Sequence, residues 1–191
     1  MSERTPEDVS DSIRYQGKAI DDSEWIPRFL ADQETGVLGL VADDDPHLVT
    51  QLFVYDAAAG AIFLHGAQAG RAHDLVTTST QPRASFTTSE QGRYVPADQP
   101  VNFTVEYSSV VANGSIDVLS DREEKRRVLE LFMEKFAPHL TSGEEYDPIA
   151  AESIDRTAVY RLDVETWSGK SGWADADRSD TYDLDAVSDD Q

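Results

Sequence analysis

The sequence predicts a mostly β domain, a barrel of short antiparallel strands that carries helical additions. Three observations lead there. Short β-branched and aromatic runs recur between acidic or Gly-containing turns, as in 36–41 (GVLGLV), 47–55 (HLVTQLFVY) and 61–65 (AIFLH). Two stretches carry a clear helical period. The many short strands and few helices argue against a parallel sheet of βαβ units.

The elements follow in order. Residues 1–13 are polar and are expected to be disordered, ahead of a single domain over 14–173. Trp25, Ile26, Phe29 and Leu30 recur at helical spacing, with Asp22 or Ser23 as cap and Pro27 tolerated only near the first turn. The three runs above follow, with a DDDP turn after the first and an AAAG turn after the second. A short helix is predicted over 71–77, then strands at 83–88, 101–114 and 115–119. Ser120 and Glu123 form a capping-box pattern for the second helix. Its stripe is Val128, Leu129, Phe132 and Phe136; Arg122, Arg126, Glu130 and Glu134 are expected to face water, and Pro138 ends it. A last strand spans 157–167, and 174–191, with eight aspartates in eighteen residues, reads as an acidic tail.

Composition excludes several classes of function. The 191-residue chain has no cysteine, which removes disulfides, thiolate catalysis and Cys-ligated metal sites. It carries 37 acidic against 16 basic residues, a net charge of −21, and only four of the basic residues are lysine. Acids spread along the whole chain repel one another, and molar salt screens that repulsion. The reading is a cytoplasmic protein of a high-salt organism. The same charge argues against nucleic acid and anionic membranes as partners. No secretory signal and no span of about 20 apolar residues is visible. His47, His73 and His139 show no metal-ligand spacing, and no metal is expected.

Residues 65–75 (HGAQAGRAHDL) hold the most informative chemistry. A strand ends at His65, a loop with Gly66 and Gly70 follows, and a helix starts near Arg71. Glycines permit close backbone approach, the first helical N–H groups are unsatisfied, and an arginine grips phosphate with two donors. The place suits a phosphate, although an ordinary strand–turn–helix reads the same way.

The string AIFLHGAQAGRAHDL resembles the strand–loop–helix of flavoproteins in the nitroimidazole-reductase-like branch of the pyridoxamine-phosphate-oxidase superfamily. Three further segments resemble it in order and spacing: GVLGLVADDDPHLVTQLFVYD, VEYSSVVANGSIDVLSDREEKRRVLELFMEKFAP and TAVYRLDVETWSGK. The resemblance implies an FMN-binding split barrel, six-stranded, antiparallel and Greek-key-like, working as a homodimer with the flavin between subunits. His65, Gly66, Ala67, Gly70 and Arg71 would lie near the flavin phosphate and ribityl chain. Thr50 and Gln51 would face the isoalloxazine, Ser108 and Ser109 would help build the dimer cleft, and Trp167 and Lys170 would contribute from the partner. His65 reads either as a proton donor beside the ring, the one catalytic candidate, or as a hydrogen-bonded surface histidine.

The implied activity is reduction of a small organic electrophile, a nitro compound or quinone, with a reduced nicotinamide binding transiently as donor. The alternatives are a non-catalytic flavin store, or a deazaflavin or haem on the same barrel. Three departures stand out. Ala72 occupies the position where the family usually has lysine, Thr50 and Leu52 stand where relatives commonly have proline and a polar residue, and the acidic tail replaces a basic C-terminal segment, which argues against vitamin B6 phosphate as substrate.

Overall fold

The computed structural model describes residues 5–20, 22, 24–42 and 45–188. Its strands are β1 (Glu7–Asp8), β2 (Thr35–Ala42), β3 (Asp45–Leu52), β4 (Val54–Asp56), β5 (Ala61–Ala67), β6 (Arg83–Val95), β7 (Thr104–Val118) and β8 (Thr157–Gly172). The helices are α1 (Trp25–Asp32), α2 (Arg71–Thr78), α3 (Arg122–Phe136), α4 (Ala151–Arg156) and α5 (Leu184–Ser188). Ser23 as a cap and residues 43 and 44 of the DDDP turn lie outside the described residues.

One sheet holds all eight strands in the order β3-β2-β6-β7-β8-β5-β4, and β1 adds to β8 as the one parallel pair. β3 and β4 stand at opposite ends of that path yet are separated in sequence only by Phe53. The ends are thus joined by covalent chain, and the predicted 47–55 strand is in fact bent into two. Six strands were expected; the split at Phe53 and the short β1 account for the two extra.

Alternation decides what each face buries. Leu38, Phe86, Ala112 and Trp167 pair across β2, β6, β7 and β8 and are all buried in the main core. Ile26, Phe29 and Leu30 of α1 join that core. A second cluster lies on the other side of β4, β5 and β8, where Val54, Phe63 and Val159 meet Val128 and Phe132 of α3. Burial of each such side chain stabilises the fold by about 1.5–3 kcal/mol.

Several boundaries differ from expectation. Asp121, not Ser120, caps α3, accepting from the Glu124 N–H at 2.8 Å. Arg122 is exposed but ion-paired with Asp155, and Arg126 is half-buried and donates to the Ile149 carbonyl at 3.0 Å. Residues 101–119 are not two strands but the single β7, with a 3-10 turn at Pro100–Asn102 before it. Residues 5–13, expected to be disordered, follow β8: Val9 N–H donates to the Trp167 carbonyl, and Ser10 Oγ accepts from Gly169 N–H. Part of the acidic tail also docks, because Tyr182 pairs with Tyr94 through two backbone hydrogen bonds and a stacked ring contact.

β7 and β8 shift register at Asn113/Gly114, and a Cβ on Gly114 would stand 1.8 Å from the Asp163 carbonyl oxygen. Backbone cannot swing aside as a side chain can. Gly114→Ala is expected to destabilise by about 3 kcal/mol, at the upper end for overpacking, read as a lower midpoint in denaturant unfolding. An unchanged midpoint would mean that this register shift is not fixed.

Candidate functional site

A cavity of about 300 Å³ opens where β3, the β5–α2 loop and β8 meet. Its walls are Leu38 of β2; His47, Val49 and Gln51 of β3; Gly66, Ala67, Ala69 and Gly70; Arg71, Ala72 and His73 of α2; and Tyr160 of β8. Among the described residues no aspartate or glutamate lines it, in a chain with 37 of them.

The local chain explains the shape. Gly70 caps α2 with φ 102°, a conformation that disfavours any side chain, and no side chain caps the helix. The N–H groups of the first turn therefore remain available to a ligand. Arg71 leads that turn. Other arginines are held: Arg28, Arg83, Arg93, Arg122, Arg127, Arg156, Arg161 and Arg178 pair with carboxylates, Arg126 donates to a carbonyl, and Arg14 lies over Tyr15. Among the described residues, Arg71 is the one arginine with no such partner. Tyr160 closes the back wall. Its hydroxyl lies 3.3 Å from His73 Nδ1 and 3.4 Å from the Ala67 carbonyl oxygen, and burial, helped by Asp74, pushes its pKa up.

The expected site residues divide among four places. Gln51, Gly66, Ala67, Gly70 and Arg71 converge on the cavity. Thr50, Ser109 and Lys170 lie on the outer sheet face, since Thr50 pairs with Val37, Val37 with Thr87, and the same face continues through Ser89, Ser109 and Lys170. Ser108 and Trp167 are buried inside; Ser108 Oγ accepts from Trp173 Nε1 at 2.9 Å, and Trp167 belongs to the main core. His65 points the other way from Gly66, and its ring meets Phe132 of α3 edge-on at 4.6 Å. Its imidazole therefore stands on the opposite face of β5 from the cavity.

Three polar cavity residues, His47, His73 and Tyr160, are not among the site residues the sequence predicts. His47 follows from strand alternation, which places His47, Val49 and Gln51 on one side and Thr50 on the other. His73 follows Arg71 by two residues in the first helical turn. Tyr160 joins through the β5–β8 register, where it faces Leu64, and no local signal announces that.

Residues 22–171 match the family model described as pyridoxamine 5'-phosphate oxidase. The chain belongs to that family. A search of curated proteins finds no match. Among solved structures, the flavocytochrome Anf3 from Azotobacter vinelandii is 24% identical, with 96% of this chain and 82% of that chain covered and a TM-score of 0.76. An FAD and haem binding protein from Mycobacterium smegmatis is 19% identical, covering 91% and 80%, with a TM-score of 0.71. A protein named for 5-nitroimidazole antibiotic resistance, from Bacteroides thetaiotaomicron, is 18% identical, covering 80% and 85%, with a TM-score of 0.65. At these identities the likeness establishes the fold. Among the described residues no helix is long and apolar enough to cross a membrane, and no cluster of three or more His, Asp or Glu could hold a metal ion.

Burial against α3 pushes the His65 pKa below its ordinary value. The fold thus favours the neutral ring, and the stability this contributes is complete above the unfolded pKa of about 6.5 and lost as pH falls through the folded value. Wild type should lose more stability than His65→Phe between about pH 7 and about pH 5, measured by paired denaturant titrations. Parallel pH profiles would remove His65 from the fold's acid response.

Proposed function

We propose that this chain is a flavin-dependent oxidoreductase, with FMN as cofactor, that acts as a homodimer on a small organic electrophile of the nitro or quinone type. The observation that carries the reading is Arg71, unpaired and lining a cavity with no acid among the described residues, in a chain of net charge −21. A cation so placed, beside open helical N–H groups and two glycines, fits a phosphoryl tail. The residues present fit the group: Gly66 has no side chain, and a Cβ there would approach Tyr160 only to 3.8 Å, so the floor is open rather than filled.

In this reading the backbone over 66–70 and Arg71 bind the phosphoryl tail, Gln51 offers an amide to the ring system, and Leu38 and Val49 exclude water. The bound flavin would supply hydride and electron-transfer chemistry that no side chain here provides. The electron donor is a reduced nicotinamide that binds transiently in the same cleft. Names among the structural relatives include FAD, haem and nitroimidazole resistance, which supports a redox cofactor without choosing one. A second reading, haem alongside or instead of flavin, is favoured by His47 and His73 on the cavity wall. If the flavin bound but no acceptor were reduced, the chain would be a flavin store.

The dimer rests on the outer face of β3, β2, β6, β7 and β8. Its central register positions are Val37, Gly39, Leu48, Thr50, Ser85, Thr87, Ser89, Ser109, Val111, Asn113, Thr166, Ser168 and Lys170, with no acid among them; Glu165 borders them, paired with Arg83. Leu48 is 66% exposed and Val111 40%. A face with so little charge on a surface so acidic suits self-association, and a standard interface needs about 800 Å² per partner. At about 300 Å³ the cavity lies at the small end for a ligand site, consistent with completion by a second copy.

Protein purified from its native host at high salt should show a flavin absorption spectrum, and a Soret band instead would favour haem. With FMN added, it should oxidise NAD(P)H with a nitro or quinone acceptor. Arg71→Ala should weaken FMN by about ten- to a hundredfold, the worth of a charged hydrogen bond, and leave riboflavin unaffected. Equal loss for both ligands, or none, would place the phosphate elsewhere. Leu48→Asp should turn the dimer into monomer in light scattering; a wild-type monomer would end the shared-site reading.

A further inference from the structure

Tyr160 and His73 form a hydrogen-bonded pair inside the cavity that the reading above leaves unused. Among the described residues the cavity wall holds Arg71, two imidazoles and the Tyr160 hydroxyl, and no carboxylate. Tyr160 is 5% exposed, and its hydroxyl has protein partners within the fold. Two groups lie within reach: the Ala67 carbonyl oxygen at 3.4 Å, which can only accept, and His73 Nδ1 at 3.3 Å, which can donate or accept. The hydroxyl has one proton. When it goes to the carbonyl, the oxygen is left to accept from an Nδ1–H, and both contacts are made at once. Were it given to Nδ1 instead, two acceptors would face each other at Ala67. The Nδ1–H form is therefore favoured, and Nε2, which has no hydrogen-bond partner in the structure, carries a lone pair when the ring is neutral and an N–H when it is protonated.

We propose that His73 is a second anion-binding side chain of this cavity beside Arg71, and that Tyr160 positions it so that it grips the phosphoryl tail of the flavin only in its protonated form. The inference rests on the flavin reading. A neutral His73 turns a lone pair toward the anion and is repelled; a protonated one adds a charged hydrogen bond. The groups facing His73 are Arg71 and Asp74 on its own helix, Tyr160 from β8 and His47 from β3. β2 contributes Leu38 to the cavity and β7 contributes nothing titratable there. Because only the protonated ring donates to the phosphoryl oxygens, binding and proton uptake are linked.

The test is the dissociation constant of FMN at about pH 6 and about pH 8, with riboflavin as the ligand that lacks the phosphate. Relative to His73→Gln, wild type should gain about tenfold in FMN affinity at the lower pH, the worth of one charged hydrogen bond, while riboflavin stays level. His73→Gln should show only the pH dependence that the phosphate's own titration imposes. Tyr160→Phe should keep the affinity at low pH and weaken less at high pH, because a freed neutral ring can turn an Nε2–H to the phosphate. The phosphate's own titration near pH 6 affects all variants alike. A His73→Gln protein that keeps the wild-type pH dependence would overturn the proposal. So would ring ¹⁵N shifts showing the Nε2–H tautomer in ligand-free wild type, a measurement that needs no flavin. If neither FMN nor riboflavin binds at any pH, it is the flavin reading itself that fails, and this inference with it.

Discussion

The bend at Phe53 is the constraint on which the rest depends. Leu52 ends the ladder with β2 at Thr35, and Val54 begins the ladder with β5 at Phe63, so one residue carries the chain between the two ends of the sheet. Its N–H reaches the Glu34 carbonyl at 3.3 Å, and its ring meets Phe86 edge-on at 4.7 Å inside the core. From outside, Lys135 of α3 donates to the Gln33 and Phe53 carbonyls and sits 4.6 Å from the Phe53 ring centre. Burial pushes that lysine's pKa down, against the pull of Glu34 and Asp32. α3 therefore holds the bend as well as covering β4 and β5. Because β3 leaves the sheet path there, its inner residues His47, Val49 and Gln51 hang over the β5–α2 loop, and the cavity exists between them.

Charge then assigns that cavity its use. The carboxylates that dominate the surface hold most arginines in pairs, several of them with two acids or two hydrogen bonds. Even buried Glu106, 1% exposed, is held by Arg93, which draws its pKa below the usual carboxylate range. Against that background, Arg71, the one described arginine without a partner, and a sheet face whose central register positions carry no acid are both exceptions. An anion suits the first, and a second copy suits the second.

Much of the fold was legible because its signals are local. The helical period of α1 and α3, the β-branched runs and the resemblance over four segments all survive in the structure. What failed was non-local. Nothing near Phe53 marks it as a break, because the partners that hold it, Glu34, Phe86 and Lys135, come from three other elements. The capping-box pattern suggested Ser120, but Asp121 offers an equally good acceptor one residue on. The glycine loop and Arg71 were found from their own chemistry. The structure sets Thr50 on the opposite side of β3 from Gln51 and Trp167 in the main core, and Tyr160 reaches the cavity only through its register with Leu64.

The central claim is that residues 66–73 receive the phosphoryl tail of a flavin. Backbone amide shifts of ¹⁵N-labelled protein, recorded with FMN and again with riboflavin, test it most directly. The account predicts that the FMN-specific changes cluster at Gly66, Gly70, Arg71 and the first turn of α2. Changes that coincide for the two ligands, or that fall on the far side of β5 around His65 and α3, would contradict it.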